Sequence, residues 1–430
     1  MLVALFEDQA YENFLPLTYT RPVFECRCGM RTFKERIQSM YPESEIFLFT
    51  RDYLVPTLRR NSPPVNDVNA IDDDVLLVNG MLMANGEIRR LVEEKLSKNT
   101  LISCHHRTVL AHLKEKTARK YGEVLCKPLT HVSAKNLMKE CKKLETQNSP
   151  LCSYPWDLIN ENTELIKEDF KALGKKKSEG TIDERAAIYG EEENVYVGKD
   201  SFVEANVTLD ARDGPIYIGE GTEVHGGSRI TGPTYIGDNT RIVSGLIREG
   251  CNIGDVCRIG GEVEETIIHG YANKYHTGFV GHAYIGEWVN IAADTTTSDI
   301  KNTYGTIRVS LDGKTVDSGQ MKMGCFIGDY AKTSIGTKIY AGKKIGIASQ
   351  MHGFIAEDIP SFTIWAKSLG WDPVELYLES AIKTQKRMMA RREVKQTKED
   401  IELLKRLFEM TAKDRRAAGV QKARFQTNFQ

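Results

Sequence analysis

The sequence predicts an α/β domain with a mostly parallel, Rossmann-like sheet, then a parallel β-helix of hexapeptide repeats with C-terminal α-helices. Three observations carry that expectation. Short apolar runs alternate with charged helical stretches up to about residue 158, an aliphatic residue recurs at every sixth position from about residue 195, and helical spacing returns after residue 360. At 430 residues the chain exceeds one ordinary core. The expected division is 1–158 for the α/β domain, 159–194 for a linker, 195–360 for the β-helix, and 361–430 for the helices and a basic tail.

Leu2–Phe6, Glu45–Phe49, Val75–Val78 and Leu101–Ser103 have strand length and strand residues. Arg31–Ser39 and Glu87–Leu96 carry apolar residues at helical spacing. In such a sheet ligands sit beyond the carboxyl ends of the strands, which directs attention to the loops Glu7–Arg31 and Asn79–Asn85. The polar stretch 159–193, with Lys175-Lys-Lys-Ser-Glu-Gly180, reads as a connector with one helix.

Val197, Val203 and Leu209 begin the hexads, followed by Ile218, Val224, Ile230, Ile236 and Ile242. Later members are Ile253 and Ile259, Ile285 and Ile291, and Ile327, Ile339 and Ile345, with Thr333 in the missing step. Gly and often an acid follow, as in Ile236-Gly-Asp and Ile327-Gly-Asp. Each aliphatic is expected to point inward and stack on its counterpart one coil away. Two stretches, Glu262–Gly281 and Thr295–Gly324, read as loops leaving the solenoid. Beyond them, Asp372-Pro373 looks like a helix start and Thr397-x-x-Asp400 like a capping box.

Composition narrows the function classes. Lys+Arg 58 against Asp+Glu 59 gives a formal net charge of −1, which disfavours a globally basic nucleic-acid binder. From Lys383 to Arg424 there are 14 Lys/Arg and 6 Asp/Glu, read as a solvated helix face rather than an RNA-binding tail. No apolar run approaches the roughly 18–20 residues of a membrane span, and nine cysteines lack CxxC pairing, so a soluble cytoplasmic protein is expected.

Lys274, His276, Asn290 and Asp299 fall within one loop and its adjoining coils. Asn290 follows His276 by 14 residues, close to one coil, so both can face one cleft. A zinc site on His269, His276 and His282 is the competing reading, against the spacing usual for zinc. His269, His282 and His352 are otherwise read as structural. A histidine titrating near neutrality can take the proton of an attacking amine, and an amide such as Asn290 can stabilise an oxyanion. Arg248, Arg258 and Lys274 are candidate partners for a sugar phosphate.

Lys274-Tyr-His276 followed by Ile285-Gly-Glu-Trp-Val-Asn-Ile-Ala-Ala293 resembles the acetyltransferase half of the bifunctional N-acetylglucosamine-1-phosphate uridylyltransferase/glucosamine-1-phosphate N-acetyltransferase family. The resemblance implies a left-handed β-helix, with His276 as catalytic base and Phe279 at an aromatic substrate-loop position. It makes Asn290 a sugar contact and places Asp299 where the family usually has Asn. It also implies acetyl-CoA as donor, bound between neighbouring β-helices of a homotrimer. Asn13-Phe-Leu-Pro-Leu-Thr-Tyr-Thr-Arg-Pro22, Tyr154-Pro-Trp-Asp-Leu158 and Ile359-Pro-Ser-Phe resemble an alternative subgroup usually described as sugar nucleotidyltransferases.

In the nucleotidyltransferase half of that family a Gly-rich loop cradles phosphates, and a lysine follows Pro-Leu-Thr and Arg-Pro. Here Pro16-Leu-Thr18 and Arg21-Pro22 remain, but Glu7–Asn13 replaces the glycines and Val23 the lysine. Asn79-Gly80 stands where a Gly-Asp usually holds Mg²⁺. By resemblance Arg21, Asn79 and Gly80 would meet the nucleotide, UTP or dTTP, and Asp8 or Asp157 would hold Mg²⁺. Acids where phosphates should sit are unfavourable without bridging metal. Two readings stay open: a rewired working site, or a degenerate domain kept for binding or assembly. The whole-chain alternatives are a nucleotidyltransferase with a purely oligomerising β-helix, and a non-catalytic sugar-nucleotide-binding scaffold.

Overall fold

In the computed structural model, residues 1–60, 64–84, 88, 90, 92, 96–146, 150–174 and 177–425 are described. The chain divides into two compact units, Met1–Arg27 with Arg31–Asp157, and Cys28–Met30 with Leu158–Gln430.

The first unit holds β1 (Leu2–Phe6), α1 (Phe33–Met40), β2 (Ile46–Leu48), β3 (Val75–Asn79), β4 (Thr100–Cys104), β5 (Arg107–Leu113), α2 (Glu115–Leu125), α3 (His131–Lys139) and β6 (Lys142–Glu145). They form one six-stranded sheet in the order β2-β1-β3-β5-β4-β6. β1 runs parallel to β2 and β3, as the apolar runs predict. The sheet is nevertheless mixed, because β5 is antiparallel to both β3 and β4. A two-residue turn, His105-His106, joins β4 to β5, and so short a link connects only antiparallel strands. The carboxyl ends of β1, β3 and β4 therefore share one edge. Leu2, Ala4, Phe6, Leu77, Leu101 and Ala111 pack from this sheet into the core that α2 and α3 cover. The helix expected over Glu87–Leu96 lies largely outside the described residues.

In the second unit the hexads become a parallel β-solenoid with three inward columns. Val197, Ile218, Ile236, Ile253, Ile268, Ile285, Ile327 and Ile345 align strand by strand on one face. All eight are essentially removed from water, each burial being worth roughly 1.5–3 kcal/mol. The Ile-Gly-acid pattern has a local cause. Asp255 Oδ1 accepts from the Asp238 amide at the corner one coil earlier, and a Cβ on Gly237 would overlap that carboxylate. Asp238 against Gly219 and Asp329 against Gly286 repeat the arrangement.

Three boundaries differ from expectation. The helix expected within 159–194 is present as α4 (Pro155–Ala172) but starts earlier, and the same stretch also holds the solenoid strands Thr181–Ile182 and Ala187–Tyr189. From α4, Ile166 and Phe170 cover the outer aromatic column that includes Tyr217 and Tyr235. The stretch 262–281 is not an excursion. It continues the coils, its hexad register hidden because Lys274 occupies an inward position paired with Ile259. The stretch 295–324 leaves the solenoid only in part: Thr296–Thr297 is still a coil strand, paired with Lys338–Ile339, and the excursion beyond it carries an antiparallel hairpin of Arg308–Leu311 and Lys314–Asp317.

After Asp372-Pro373 the chain is a strand, Val374–Glu375, pairing with Thr363–Ile364, and the helix starts only at Leu378. The C-terminal helices are α5 (Leu378–Ala390), α6 (Lys398–Met410), opened by the Thr397–Asp400 capping box, and α7 (Ala412–Ala417). One basic residue of this region is structural: Arg415 is buried, bonded to Glu375 and the Thr411 hydroxyl. No helix among the described residues is long and apolar enough to cross a membrane.

Gly237→Ala should cost on the order of 1–3 kcal/mol through steric overlap. Gly305→Ala, where only the Thr303 hydroxyl lies near the added carbon, at 3.8 Å, should cost less. Urea unfolding of the two variants measures the difference.

Candidate functional site

In the N-terminal unit, β1 runs out into Glu7 and Asp8, the two acids that replace the expected glycine loop. Each meets an arginine far away in sequence. Arg51 Nε and Nη2 bond the two Glu7 carboxylate oxygens at 3.0 and 3.1 Å. The Thr50 hydroxyl and the Val23 amide also donate to Glu7. Arg51 in turn donates to the carbonyls of Thr18 and Arg21 and to the Tyr53 hydroxyl, so one buried pair pins the loop 7–31. Burial works against the Arg51 charge, but Glu7 more than offsets it and holds its pKa above the usual value. Tyr53, buried against this pair, is pushed up to about 12.

Asp8 is matched by Arg107, with Nε to Oδ2 at 2.8 Å and Nη2 to Oδ1 at 3.3 Å. Its carboxylate also accepts from the Ala10 amide and from Asn79 Nδ2. This removes the electrostatic objection to the acids. It also changes the expected roles. Asn79 is wholly buried and committed to Asp8, to the Thr108 carbonyl and to the Met81 amide, so it presents nothing to a nucleotide. Gly80 is small because a Cβ there would press on Phe24. Arg21 is buried and donates to the Leu17 carbonyl. Asp157 caps α4, accepting from the Ser153 and Tyr154 amides, and burial pushes its carboxyl up. Of the two residues expected to hold Mg²⁺, Asp8 is thus ion-paired with Arg107 and Asp157 is engaged at the start of α4. Among the described residues no three His, Cys, Asp or Glu side chains converge as a ligand set.

In the solenoid, Lys274 is the unexpected residue. It stands in an inward column, 2 % exposed, where neighbouring coils carry Ile. Its ammonium is satisfied by the carbonyls of Gly260 at 2.7 Å, Gly278 at 2.8 Å and His276 at 3.1 Å. Burial pushes its pKa down to about 8, against the pull of Glu262. Lys274 is therefore not a phosphate contact. It holds the backbone of the corner 276–278 from inside, and the His276 side chain stands exposed on that corner, edge-on to Tyr275.

Asn290 lies one coil on, paired with Asn273 and three residues short of the position above His276. Asn273 Nδ2 donates to Asn290 Oδ1 at 3.3 Å, and Arg392 donates to Asn273 Oδ1 at 2.7 Å. The Phe279 ring lies over Gly281, where a Cβ would overlap it, and Asp299 approaches the same glycine. Asp299 is not free for a sugar: its carboxylate bonds His282 Nδ1 at 2.8 Å, while His282 Nε2 lies 3.3 Å from Glu265. Burial disfavours the imidazolium, but the bonds to Asp299 and Glu265 prevail and push His282 up to about 9.

Arg248 is matched by Glu249, Glu262 and Glu264 and offers no net positive charge to a phosphate. Arg258 differs. It donates to the Asn239 and Cys257 carbonyls, and burial with Arg392 and Arg241 nearby depresses its pKa. His269, in the competing zinc reading, instead faces the Tyr284 hydroxyl and Glu287.

Residues 3–178 match the family model of sugar nucleotidyl transferases. Over 91 residues the chain is 33% identical to a bifunctional sugar-1-phosphate nucleotidylyltransferase/acetyltransferase of Sulfurisphaera tokodaii, covering 21% of this chain and 23% of that protein. Over 126 residues it is 30% identical to the bifunctional protein GlmU of Gloeobacter violaceus, covering 28% and 24%. The chain thus spans about a quarter of the length of these curated relatives. Among solved structures, a UDP-N-acetylglucosamine acyltransferase from Campylobacter jejuni aligns over 56% of this chain and 92% of its own, at 17% identity and a TM-score of 0.29.

Two outcomes follow from this geometry. Glu7→Gln strands a buried guanidinium and should destabilise the first unit by about 3–5 kcal/mol, seen as early unfolding in urea. His282 has a folded pKa above its unfolded value. Its contribution, on the order of 1–3 kcal/mol, is fully present below about pH 6.5 and lost as pH rises through about 9. The stability difference between wild type and His282→Gln, measured from pH 6 to 10, should shrink across that window.

Proposed function

We propose that this chain is a transferase of sugar-nucleotide synthesis. It moves acetyl from acetyl-CoA to the amine of an amino-sugar 1-phosphate, with glucosamine-1-phosphate as acceptor, and couples this to nucleotidyl transfer giving UDP-N-acetylglucosamine. The observation that carries the reading is the exposed His276 on a corner whose carbonyls are clamped by the buried Lys274 ammonium. An imidazole fixed at its backbone but open at its ring suits a general base, which must reach the substrate proton without refolding its own loop. The match of residues 3–178 to sugar nucleotidyl transferases and the bifunctional relatives support the two-reaction reading.

In the acetyl step His276 takes a proton from the acceptor amine as its nitrogen attacks the thioester carbonyl. The C–S bond then breaks as the C–N amide is completed, and coenzyme A leaves as the thiol with the proton that His276 returns. Asn290, on the adjoining coil, is the proposed sugar contact, and Phe279 the proposed aromatic residue of the substrate loop. Arg258, close to Arg392, takes the proposed phosphate role in place of Lys274 and Arg248. The acceptor and donor would meet in a groove between copies in a homotrimer. In the other step a sugar 1-phosphate displaces pyrophosphate from UTP or dTTP.

The test is thiol release from acetyl-CoA with glucosamine-1-phosphate, for wild type and His276→Ala. Loss of the base should lower the rate about 10²- to 10⁴-fold with an unchanged circular dichroism spectrum. Equal rates in the two proteins would refute the assignment.

A further inference from the structure

The carboxyl edge of the N-terminal sheet holds a cavity of about 210 Å³ that none of the expected nucleotide contacts lines, although Asp8, expected to hold the metal, does. Its wall includes Arg107, Thr108, and three histidines, His105, His106 and His131. The histidines come from two elements. His131 opens α3, whose start is capped reciprocally by Thr130 and Ser133, and helix starts favour anions. His105 and His106 are the entire turn between β4 and β5, with φ of 45° and 66°. Such a turn prefers Asn-Gly, because both positions are left-handed. Keeping two imidazoles there costs backbone energy that the turn itself does not need, a pattern that points to use of the side chains. The rings of His106 and His131 face each other edge-on, with centroids 5.5 Å apart.

Thr108 supplies an independent sign. It is 1 % exposed, and its hydroxyl has no hydrogen-bond partner, which is unusual for a buried donor. The charge pattern then decides between ligand classes. The Asp8–Arg107 pair is neutral as a unit, so the start of α3 at His131 is what disfavours a metal cation. An anion meets no such obstacle. The volume is below the roughly 300–1,000 Å³ of sites that enclose a whole ligand, and suits a phosphate or diphosphate group with the remainder outside.

We propose that this histidine-walled cavity binds the phosphate oxygens of a nucleotide or sugar phosphate, in place of a glycine-rich loop. The inference rests on the reading that this domain handles sugar nucleotides.

Calorimetric titration of the full chain with inorganic pyrophosphate, UTP and glucosamine-1-phosphate tests it. Saturable binding is expected for at least one ligand. Competition between UTP and pyrophosphate would assign the nucleotide end, and binding of glucosamine-1-phosphate alone the sugar end. His106→Ala/His131→Ala should weaken that binding tenfold or more, and Thr108→Val should weaken it measurably. His105→Asn/His106→Gly supplies the preferred turn, so its melting temperature should hold or rise while affinity falls. Equal affinity in wild type and variants, no saturable binding of any of the three, or histidine-dependent binding of Zn²⁺ alone would overturn the proposal.

The titration contains no acetyl-CoA, so its failure leaves the His276 assignment standing. Pyrophosphate release that survives in the variants would remove the cavity but not the nucleotidyl-transfer reading. Histidine-dependent binding without turnover would do the reverse.

Discussion

Two carboxylates at the end of β1 set the terms for the whole N-terminal unit. Glu7 and Asp8 leave a buried strand at the edge where ligands of such sheets collect, and neither can stay charged there alone. Arg51 reaches Glu7 from the segment after β2, and Arg107 reaches Asp8 from the start of β5. Because each arginine also binds neighbouring groups, the neutralisation does structural work. Arg51 fixes the loop after β1 through the Thr18 and Arg21 carbonyls, and Arg107 reaches the Ser153 hydroxyl. A glycine loop leaves amides open for phosphate. This arrangement ties the loop through side chains and leaves the anion-compatible space between the start of that loop and the β4–β5 turn.

The solenoid solves a different problem with a similar device. Its hexads give every coil an aliphatic interior, yet one inward position carries Lys274. A lysine among stacked isoleucines is tolerated because three carbonyls surround its ammonium. Those carbonyls belong to the corner that bears His276 and to the coil beneath it. The polar interior and the exposed imidazole are thus two ends of one arrangement. Next to it, His282, Asp299 and Glu265 form a charged chain that ties the coil bearing Phe279 to its neighbours.

Much of the architecture was legible in the sequence because it is periodic. The aliphatics at 218, 236, 253, 285, 327 and 345 fall in one column, as their spacing predicts, and β1 to β4 coincide with the apolar runs. The capping box at Thr397 was legible for the same reason, being a local pattern. What was not legible was long-range. Nothing near Glu7 announces Arg51, 44 residues away, and nothing near Asp8 announces Arg107. The antiparallel β5 was missed because Arg107–Leu113 mixes charged and apolar residues without a turn signal such as Asn-Gly before it. Lys274 looked like a surface cation for the same reason that 262–281 looked like an insertion: a lysine interrupts the hexad pattern exactly where the coil continues without a break. Site residues chosen by motif position fared unevenly. His276 is accessible on its corner, whereas Asn79, Asp157, Asp299 and Lys274 are engaged in holding the fold.

The distinction between engaged and available groups separates the two units' chemistry. At the His276 corner the charged groups are paired off or buried, and the imidazole is left open, which suits proton transfer more than charge binding. Beside β4 and β5 the reverse holds. The acid is silenced by Arg107, the turn is strained to retain two imidazoles, and a buried hydroxyl lacks an acceptor. Each feature has a structural explanation when taken singly, since histidine is among the residues that tolerate left-handed φ. Together they share one cavity wall and suit one kind of occupant, an anion with acceptor oxygens. That convergence, rather than any motif inherited in sequence, is what distinguishes a binding site from a loosely packed turn.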